Sequence, residues 1–356
     1  MFKAIKKTKM QGRGNMVGQK RVIRQHIPKF YLDMNNDLYW TSKRKRNIIK
    51  TFCEKLTTKI CFADVGSGGR LKHPWDLIPK EKIYKVDFDP INNNEGELPI
   101  CISNKKVNKT KFYLSWNESC SSLHKPYLAF IQRYNFWQVG TTKTINVQCI
   151  TLDELFENRD DKIDIIDINV EGHDFQILQG ASSIIDATFI KLIKIEFELT
   201  EVWENQGSFA DIDTFLRNKG YVMANINIQS MSTENTKKIH YAGEPTWGKA
   251  FYVPNNEKWI KTLSSLDNDA DVKDSIFKAL ALYTATDLLG YAFDLLDNQW
   301  HFLKENNTDA EKIKNKIFNT YKYTKYETAV RYIDIAIRTI LHESKYRPFL
   351  KKLLFK

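Results

Sequence analysis

Cysteine is scarce and scattered. Five thiols (Cys53, Cys61, Cys101, Cys120 and Cys149) occur in 356 residues, an odd number with no C-x-x-C pair. That pattern excludes a disulfide scaffold and a zinc ribbon, and it predicts reduced, mostly structural thiols and a cytoplasmic location. No apolar run reaches roughly 18 residues, so no ordinary membrane-spanning helix is expected. No apolar segment follows the basic start Met1-Phe2-Lys3-Ala4-Ile5-Lys6-Lys7, so no secretory leader is expected either. The chain has no G-x-x-x-x-G-K-[ST] run, which argues against a P-loop, and it shows neither an internal repeat nor a low-complexity tract.

Acidic residues are nearly missing from one region. Positions 1–50 hold 14 Lys/Arg against 2 Asp/Glu, while the whole chain has a net charge of +11, so the remainder is close to neutral. Most of the basic residues fall in three clusters: Lys3/Lys6/Lys7/Lys9, Lys20/Arg21/Arg24 and Lys43-Arg44-Lys45-Arg46. A basic arm of this kind suits an anionic membrane surface, an acidic substrate or nucleic acid, and its bland alternative is a solvated leader. A peripheral place at an inner membrane face is compatible with it. Elsewhere, 42% hydrophobic and 27% charged residues describe an ordinary globular chain.

The most informative stretch is Ala63-Asp64-Val65-Gly66-Ser67-Gly68-Gly69. A short β-rich segment, Ile60-Cys61-Phe62, leads into an acid and then into three glycines within four positions. Glycine lets a chain turn sharply off a strand while its N–H groups stay open to a ligand. A second apolar segment, Ile83–Phe88, ends at Asp89, 25 residues after Asp64. In doubly wound sheets an acid about 20 residues past the glycines takes ribose hydroxyls. The turn is not G-x-G-x-x-G, so a dinucleotide is disfavoured. An acid directly before a short glycine turn suits a cofactor with an amino-acid moiety and no pyrophosphate. S-adenosylmethionine is such a cofactor, and its cationic groups favour nearby carboxylates.

The organisation supports an α/β layered fold. Residues 1–42 look irregular, and a helix is predicted over about 43–57 with Ile48, Ile49, Phe52 and Leu56 as its buried stripe. Strands are predicted at 60–65, 83–88, 99–103, 111–114 and 145–149. The nearly continuous apolar runs 163–170 and 189–197 read as buried central strands of a parallel sheet. A helix over 210–219 is followed by an antiparallel closing pair, 221–226 with 249–253. After Pro254 the pattern turns helical. Stripes such as Ile276/Phe277/Leu280 and Val330/Ile333/Ile337/Ile340/Leu341 predict a helical appendage over 255–356. That appendage is a candidate acceptor cap, membrane tether or homo-oligomer contact.

A second constellation lies at the end of the run Ile163–Val170, which empties into Glu171-Gly172-His173-Asp174. Ligands in open α/β sheets bind outside the carboxyl ends of the strands, so Glu171 and His173 stand where chemistry is expected. The next strand ends in Glu196-Phe197-Glu198, and alternation puts its two acids on one side. Oxygen groups from Asn169, Glu171, Glu196 and Glu198 are candidates to hold a hard cation, although their spacing is not diagnostic of a metal.

Taken together, these pieces resemble the FkbM-type family of S-adenosylmethionine-dependent methyltransferases. The matching residues are Asp64–Gly69, Phe88-Asp89-Pro90, Ser121-Ser122-Leu123, Thr151–Leu155, Val170–Asp174, Leu178–Ala181 and Ile195-Glu196, all within about residues 60–200. The resemblance implies a class I methyltransferase (Rossmann-like) sheet over 43–254 and methyl transfer to hydroxyl groups, commonly of sugars, as in capsule, lipopolysaccharide or similar glycoconjugates. It also implies that Asp64, Gly66 and Gly68 shape the methionine pocket, that Asp89 holds the ribose, that Ser103 lies near the adenine and that Glu171 faces the reaction centre. Two positions depart from the family pattern: Asp167 and Asn169 stand where Lys and Asp are usual. Methyl transfer to a hydroxyl needs a base, and His173 by intrinsic pKa or Glu171 by position is the candidate. Two other readings stay open. One is a nucleic-acid methyltransferase using the basic arm, though Asn169-Val170-Glu171-Gly172 lacks the Asn/Asp-Pro-Pro-aromatic turn of base-methylating enzymes. The other is a catalytically degenerate fold that recruits a partner.

Overall fold

The computed structural model describes residues 43–321 except 67, 68, 70, 92–96, 99, 158, 160, 161, 238, 240, 241 and 304–306. The basic arm over 1–42, Gly68 and the stretch after 321 therefore lie outside the described residues. Lys45–Ile317 form one compact unit.

Ten strands follow in chain order: β1 (Ile60–Val65), β2 (Ile83–Phe88), β3 (Glu97–Leu98), β4 (Cys101–Ile102), β5 (Val107–Ser115), β6 (Thr141–Ile150), β7 (Ile165–Ile168), β8 (Leu192–Glu198), β9 (Tyr221–Met231) and β10 (Glu244–Pro254). Seven of them build one sheet in the order β3-β2-β1-β7-β8-β10-β9. β1 pairs in parallel with β2 and β7, and β7 with β8, whereas β10 runs antiparallel to both β8 and β9. A mostly parallel sheet with an antiparallel closing pair is the architecture expected from the sequence. All four residues of β7 are buried, which explains why its sequence shows no alternation.

The strand expected over 99–103 belongs to a second sheet. The segment around Cys101-Ile102 does not extend the main sheet; β4 pairs with β6 in a separate three-stranded sheet, β4-β6-β5. The edge position beside β2 goes to Glu97-Leu98 instead. Pro99 separates the two short strands, and proline cannot donate to a ladder.

The helices are α1 (43–53), α2 (Leu128–Tyr134), α3 (Leu152–Phe156), α4 (Asp174–Gln179), α5 (Ser182–Ala187), α6 (Phe209–Asn218), α7 (Asn256–Ser264), α8 (Asp269–Ala285), α9 (Leu289–Asn298) and α10 (Asn307–Tyr321). Ile48, Ile49 and Phe52 are the buried stripe of α1. Ser208 and Asp211 form a reciprocal capping box at the start of α6.

The helices expected as an appendage after residue 254 belong, as far as Ile317, to the same compact unit as the sheet. The reason lies in α8, whose residues from Ile276 to Ala285 are all buried. A helix apolar on every side belongs inside a core. Its polar anchors are also buried. Asp164, just before β7, takes Lys278 Nζ of α8 at 2.9 Å, Lys191 Nζ at 2.8 Å and the Cys61 backbone N–H at 2.9 Å. Asp274 accepts from the Thr57 backbone N–H at 2.7 Å and from Thr58 Oγ1 at 2.5 Å. These contacts fasten the helical region to the amino-terminal ends of β1 and β7 and leave the carboxyl ends open.

Candidate active site

A cavity of about 520 Å³ opens at the carboxyl ends of the central strands. Val65 and Gly66 follow from β1, Phe88 and Asp89 from β2, Asn169 to His173 from β7, Glu196 from β8, and Lys249 from β10. The apolar part of its wall includes Ile91, Ile100 and Ile102.

Gly66 is required by close approach. Its φ is +84°, and a Cβ placed there would lie 1.9 Å from the carbonyl oxygen of Asn169. Its N–H donates to Phe88 O at 3.0 Å, and Asn169 N–H donates to Val65 O at 3.0 Å. The first glycine of the turn thus locks the ends of β1, β2 and β7 together. Asp89 stands beside it at the end of β2, and its Oδ1 accepts the Ile91 backbone N–H at 2.9 Å.

The turn after β7 is built to hold Glu171. Glu171 has φ +60° and the following Gly172 has φ +88°. A Cβ on Gly172 would come within 2.4 Å of the buried Trp203 ring. The Glu171 carbonyl accepts from Ser122 Oγ at 2.6 Å, while Asp174 bridges the turn by accepting from Val170 N–H at 3.2 Å and Gly172 N–H at 3.1 Å. Left-handed backbone at a non-glycine residue is a cost that tertiary contacts must offset. Burial, then the Glu196 and Asp174 charges, push the Glu171 carboxyl well above the usual range. Burial pushes Asp174 up to about 8, with Glu196 adding to the effect.

Glu196 and Glu198 are both buried, as strand alternation requires. Glu196 lines the cavity and has Lys249 Nζ at 3.5 Å. With the Asn169 amide oriented to satisfy its neighbours, its nitrogen donates to Glu196 and its oxygen accepts from Lys249 Nζ at 3.2 Å. Glu198 lies outside the cavity lining, and burial, then Asp174, Glu196 and Glu171, raise its carboxyl far above normal. Among the described residues, no three His, Cys, Asp or Glu side chains are grouped to hold a metal ion.

His173 also reaches the cavity wall, but its ring is tied down on both edges. Nε2 lies 2.9 Å from Ser103 Oγ, and Nδ1 lies 2.9 Å from Nε2 of His124. Burial, then His124, pushes His173 down to about 3. It is therefore neutral and weakly basic at ordinary pH.

Three other expected site residues take different places. Asp64 does not line the cavity; its carboxylate pairs with Lys85 Nζ at 2.8 Å, and Lys85 also holds Asp87 at 2.5 Å. Alternation along β1 turns Val65 towards the hydrophobic core and Asp64 away from it. Ser103 does not line the cavity either and is the hydrogen-bond partner of His173. Gly68 lies outside the described residues. The unusual Asp167 finds its cation on the neighbouring strand, where Lys194 Nζ is 2.7 Å away, and Trp75 Nε1 donates to the same oxygen at 3.1 Å.

Comparison with known proteins adds a family match. Residues 61–223 match the model of the family described as "Methyltransferase FkbM domain". This part of the chain is similar to the FkbM methyltransferase domain. The match begins within β1 and ends within β9, so it covers every strand that contributes to the cavity except β10. No curated protein matches the chain. Among solved structures, magnesium protoporphyrin IX methyltransferase (ChlM) from Synechocystis PCC 6803, with bound SAM, is similar at 14% identity and a TM-score of 0.27, over 61% of this chain and 81% of that one.

Sequence reasoning missed Lys249, His124 and Lys72 of the cavity region. Lys249 enters only through the antiparallel register that sets it opposite Glu196. His124 directly follows the Ser121-Ser122-Leu123 motif, which was a usable signal.

Proposed function

We propose that the FkbM domain transfers a methyl group from S-adenosylmethionine to a hydroxyl of a sugar or glycoconjugate. S-adenosylmethionine is the cofactor of this domain, and bound there it supplies an electrophilic methyl group. The residues present fit it. The cavity volume suits a nucleoside with an amino-acid tail, Gly66 keeps β1's exit free of a side chain, and Asp89 places a carboxylate where ribose hydroxyls are taken in such sheets. Ile91, Ile100 and Ile102 offer an apolar surface for a base.

The observation that carries the reading is the half-buried Glu171 side chain held at the cavity wall. A base works best when its pKa lies near the operating pH. Burial and neighbouring acids raise the Glu171 carboxyl well above its ordinary value, in the direction of a stronger base. His173 is pushed the opposite way, so Glu171 is the better base and His173 a positioning residue, bridging Ser103 and His124. Lys249, beside Glu196, limits the negative charge that builds up there. In-line displacement also needs the acceptor aligned, and positioning of this kind supplies several orders of magnitude.

A sugar acceptor is supported by two exposed indoles beside the cavity. Trp116 is 74% exposed and Trp137 54%. They sit on adjoining segments, since Trp116 N–H donates to Gly140 O and Asn117 N–H to Gln138 O, both at 3.0 Å. Glu118 and Ser119 on the same segment line the cavity. Indole faces flanked by polar groups suit the C–H faces of a sugar. The basic arm is read as a tether to an acidic glycan or an anionic membrane surface on the cytoplasmic side. Among the described residues, no helix is long and apolar enough to cross a membrane.

The test is transfer of labelled methyl from S-adenosylmethionine to a panel of polysaccharides and simple glycosides, with oligonucleotides and proteins alongside. An alkali-stable methyl ether on a sugar supports the proposal. Transfer only to oligonucleotide or protein would refute it.

A further inference from the structure

The cavity is rich in acids, yet the cofactor read into it carries a carboxylate of its own. Asp89, Glu171 and Glu196 all line the wall and offer that group no positive charge. Among the described residues, two cations line the cavity, Lys249 and Lys72. Lys249 is already engaged, with Glu196 at 3.5 Å and the Asn169 amide oxygen at 3.2 Å. Among the described residues the ammonium of Lys72 has no carboxylate partner, and its side chain is exposed.

Lys72 is nevertheless fixed at its backbone. Its carbonyl accepts from Trp75 N–H at 2.8 Å and from Asp76 N–H at 3.3 Å. Trp75 is 2% exposed, packs against Phe62 of β1 with ring centroids 5.4 Å apart, and donates its Nε1 to Asp167. Lys72 is therefore a mobile cation on a rigid base, six residues past Gly66 on the same connection leaving β1.

We infer that Lys72 forms the ion pair with the carboxylate of the methionine moiety, and so selects an amino-acid-bearing nucleoside over a bare thionucleoside. This rests on the proposed methyltransferase reading. It gives the glycine connection two jobs: Gly66 makes room, and Lys72 supplies the charge that the acid-lined wall lacks. A charge-assisted contact of this kind is worth about tenfold in affinity.

The test is calorimetric titration of the full chain with two probes. S-adenosylhomocysteine carries the carboxylate, and 5′-methylthioadenosine lacks the whole amino-acid tail. Wild type should prefer the first. Lys72→Met should lose about tenfold in affinity for S-adenosylhomocysteine and keep 5′-methylthioadenosine within twofold, while Lys72→Arg should restore most of the preference. Raising salt should erode the preference in wild type and leave Lys72→Met nearly unaffected. Parallel losses for both probes in Lys72→Met, or no loss for either, would overturn the assignment. If wild type binds neither probe, the methyltransferase reading falls and this inference falls with it.

Discussion

Replacing Gly66 by alanine tests how tightly the fold and the site are joined. Two penalties add at this position. The backbone has φ +84°, where a Cβ meets its own carbonyl, at a cost of roughly 1–2 kcal/mol. The new methyl would also lie 1.9 Å from Asn169 O, against an ordinary contact of 3.4 Å or more. The end of β7 must then retreat by about 1.5 Å, and overpacking of this sort costs about 1–3 kcal/mol. Together the substitution should destabilise by about 2–5 kcal/mol. Urea unfolding reads this as a lower midpoint with an unchanged slope. Because Asn169 leads directly into Glu171, S-adenosylhomocysteine affinity should fall even under conditions where the variant is fully folded. An unchanged midpoint together with unchanged affinity would refute the close approach of β1 and β7 described above.

Further outcomes follow from the same geometry. Glu171→Gln should lower kcat by roughly 10²–10⁴-fold while cofactor affinity, read by calorimetry, changes little; His173→Gln should cost less, because its ring is a weak base. Asp164→Asn should destabilise by about 3–5 kcal/mol in urea, since it leaves Lys191 and Lys278 buried without their shared partner. Asp174 is raised from 3.8 to about 8, so the folded state holds a proton that the unfolded state releases. Stability should therefore fall as pH rises through this window. His173 acts in the opposite direction only below about 6.5, so Tm measured between about pH 6.5 and 8 isolates the carboxyl effect. Asp174→Asn should flatten that slope, and an unaltered slope would remove Asp174 as its source.

The parts of the fold written in local pattern were legible. The central strands show as apolar runs because both faces are buried, and the closing pair shows as segments after a capped helix. Glycine at 66 and the Glu-Gly pair at 171–172 were legible because each marks a turn that other side chains cannot make. What the sequence hid depends on register. Asp64 and Val65 are neighbours in sequence, yet alternation sends them to opposite faces of the sheet. Lys249 meets Glu196 only across an antiparallel ladder, and the Asp167–Lys194 pair only across a parallel one. His173 looked like a base because its intrinsic pKa is near neutrality; burial and the second imidazole, at His124, reverse that. Cys101-Ile102 was legible as part of a strand, but its pairing with β6 in a separate sheet was not.

The central claim is that Asp89, at the carboxyl end of β2, holds the ribose of a sulfonium nucleoside in this cavity. Calorimetric titration of wild type and Asp89→Ala with S-adenosylhomocysteine tests it most directly. Wild type should bind, and the variant should lose about 10–100-fold, the worth of hydrogen bonds to a charged group. Equal affinity in the two proteins, or no binding by wild type, would contradict it.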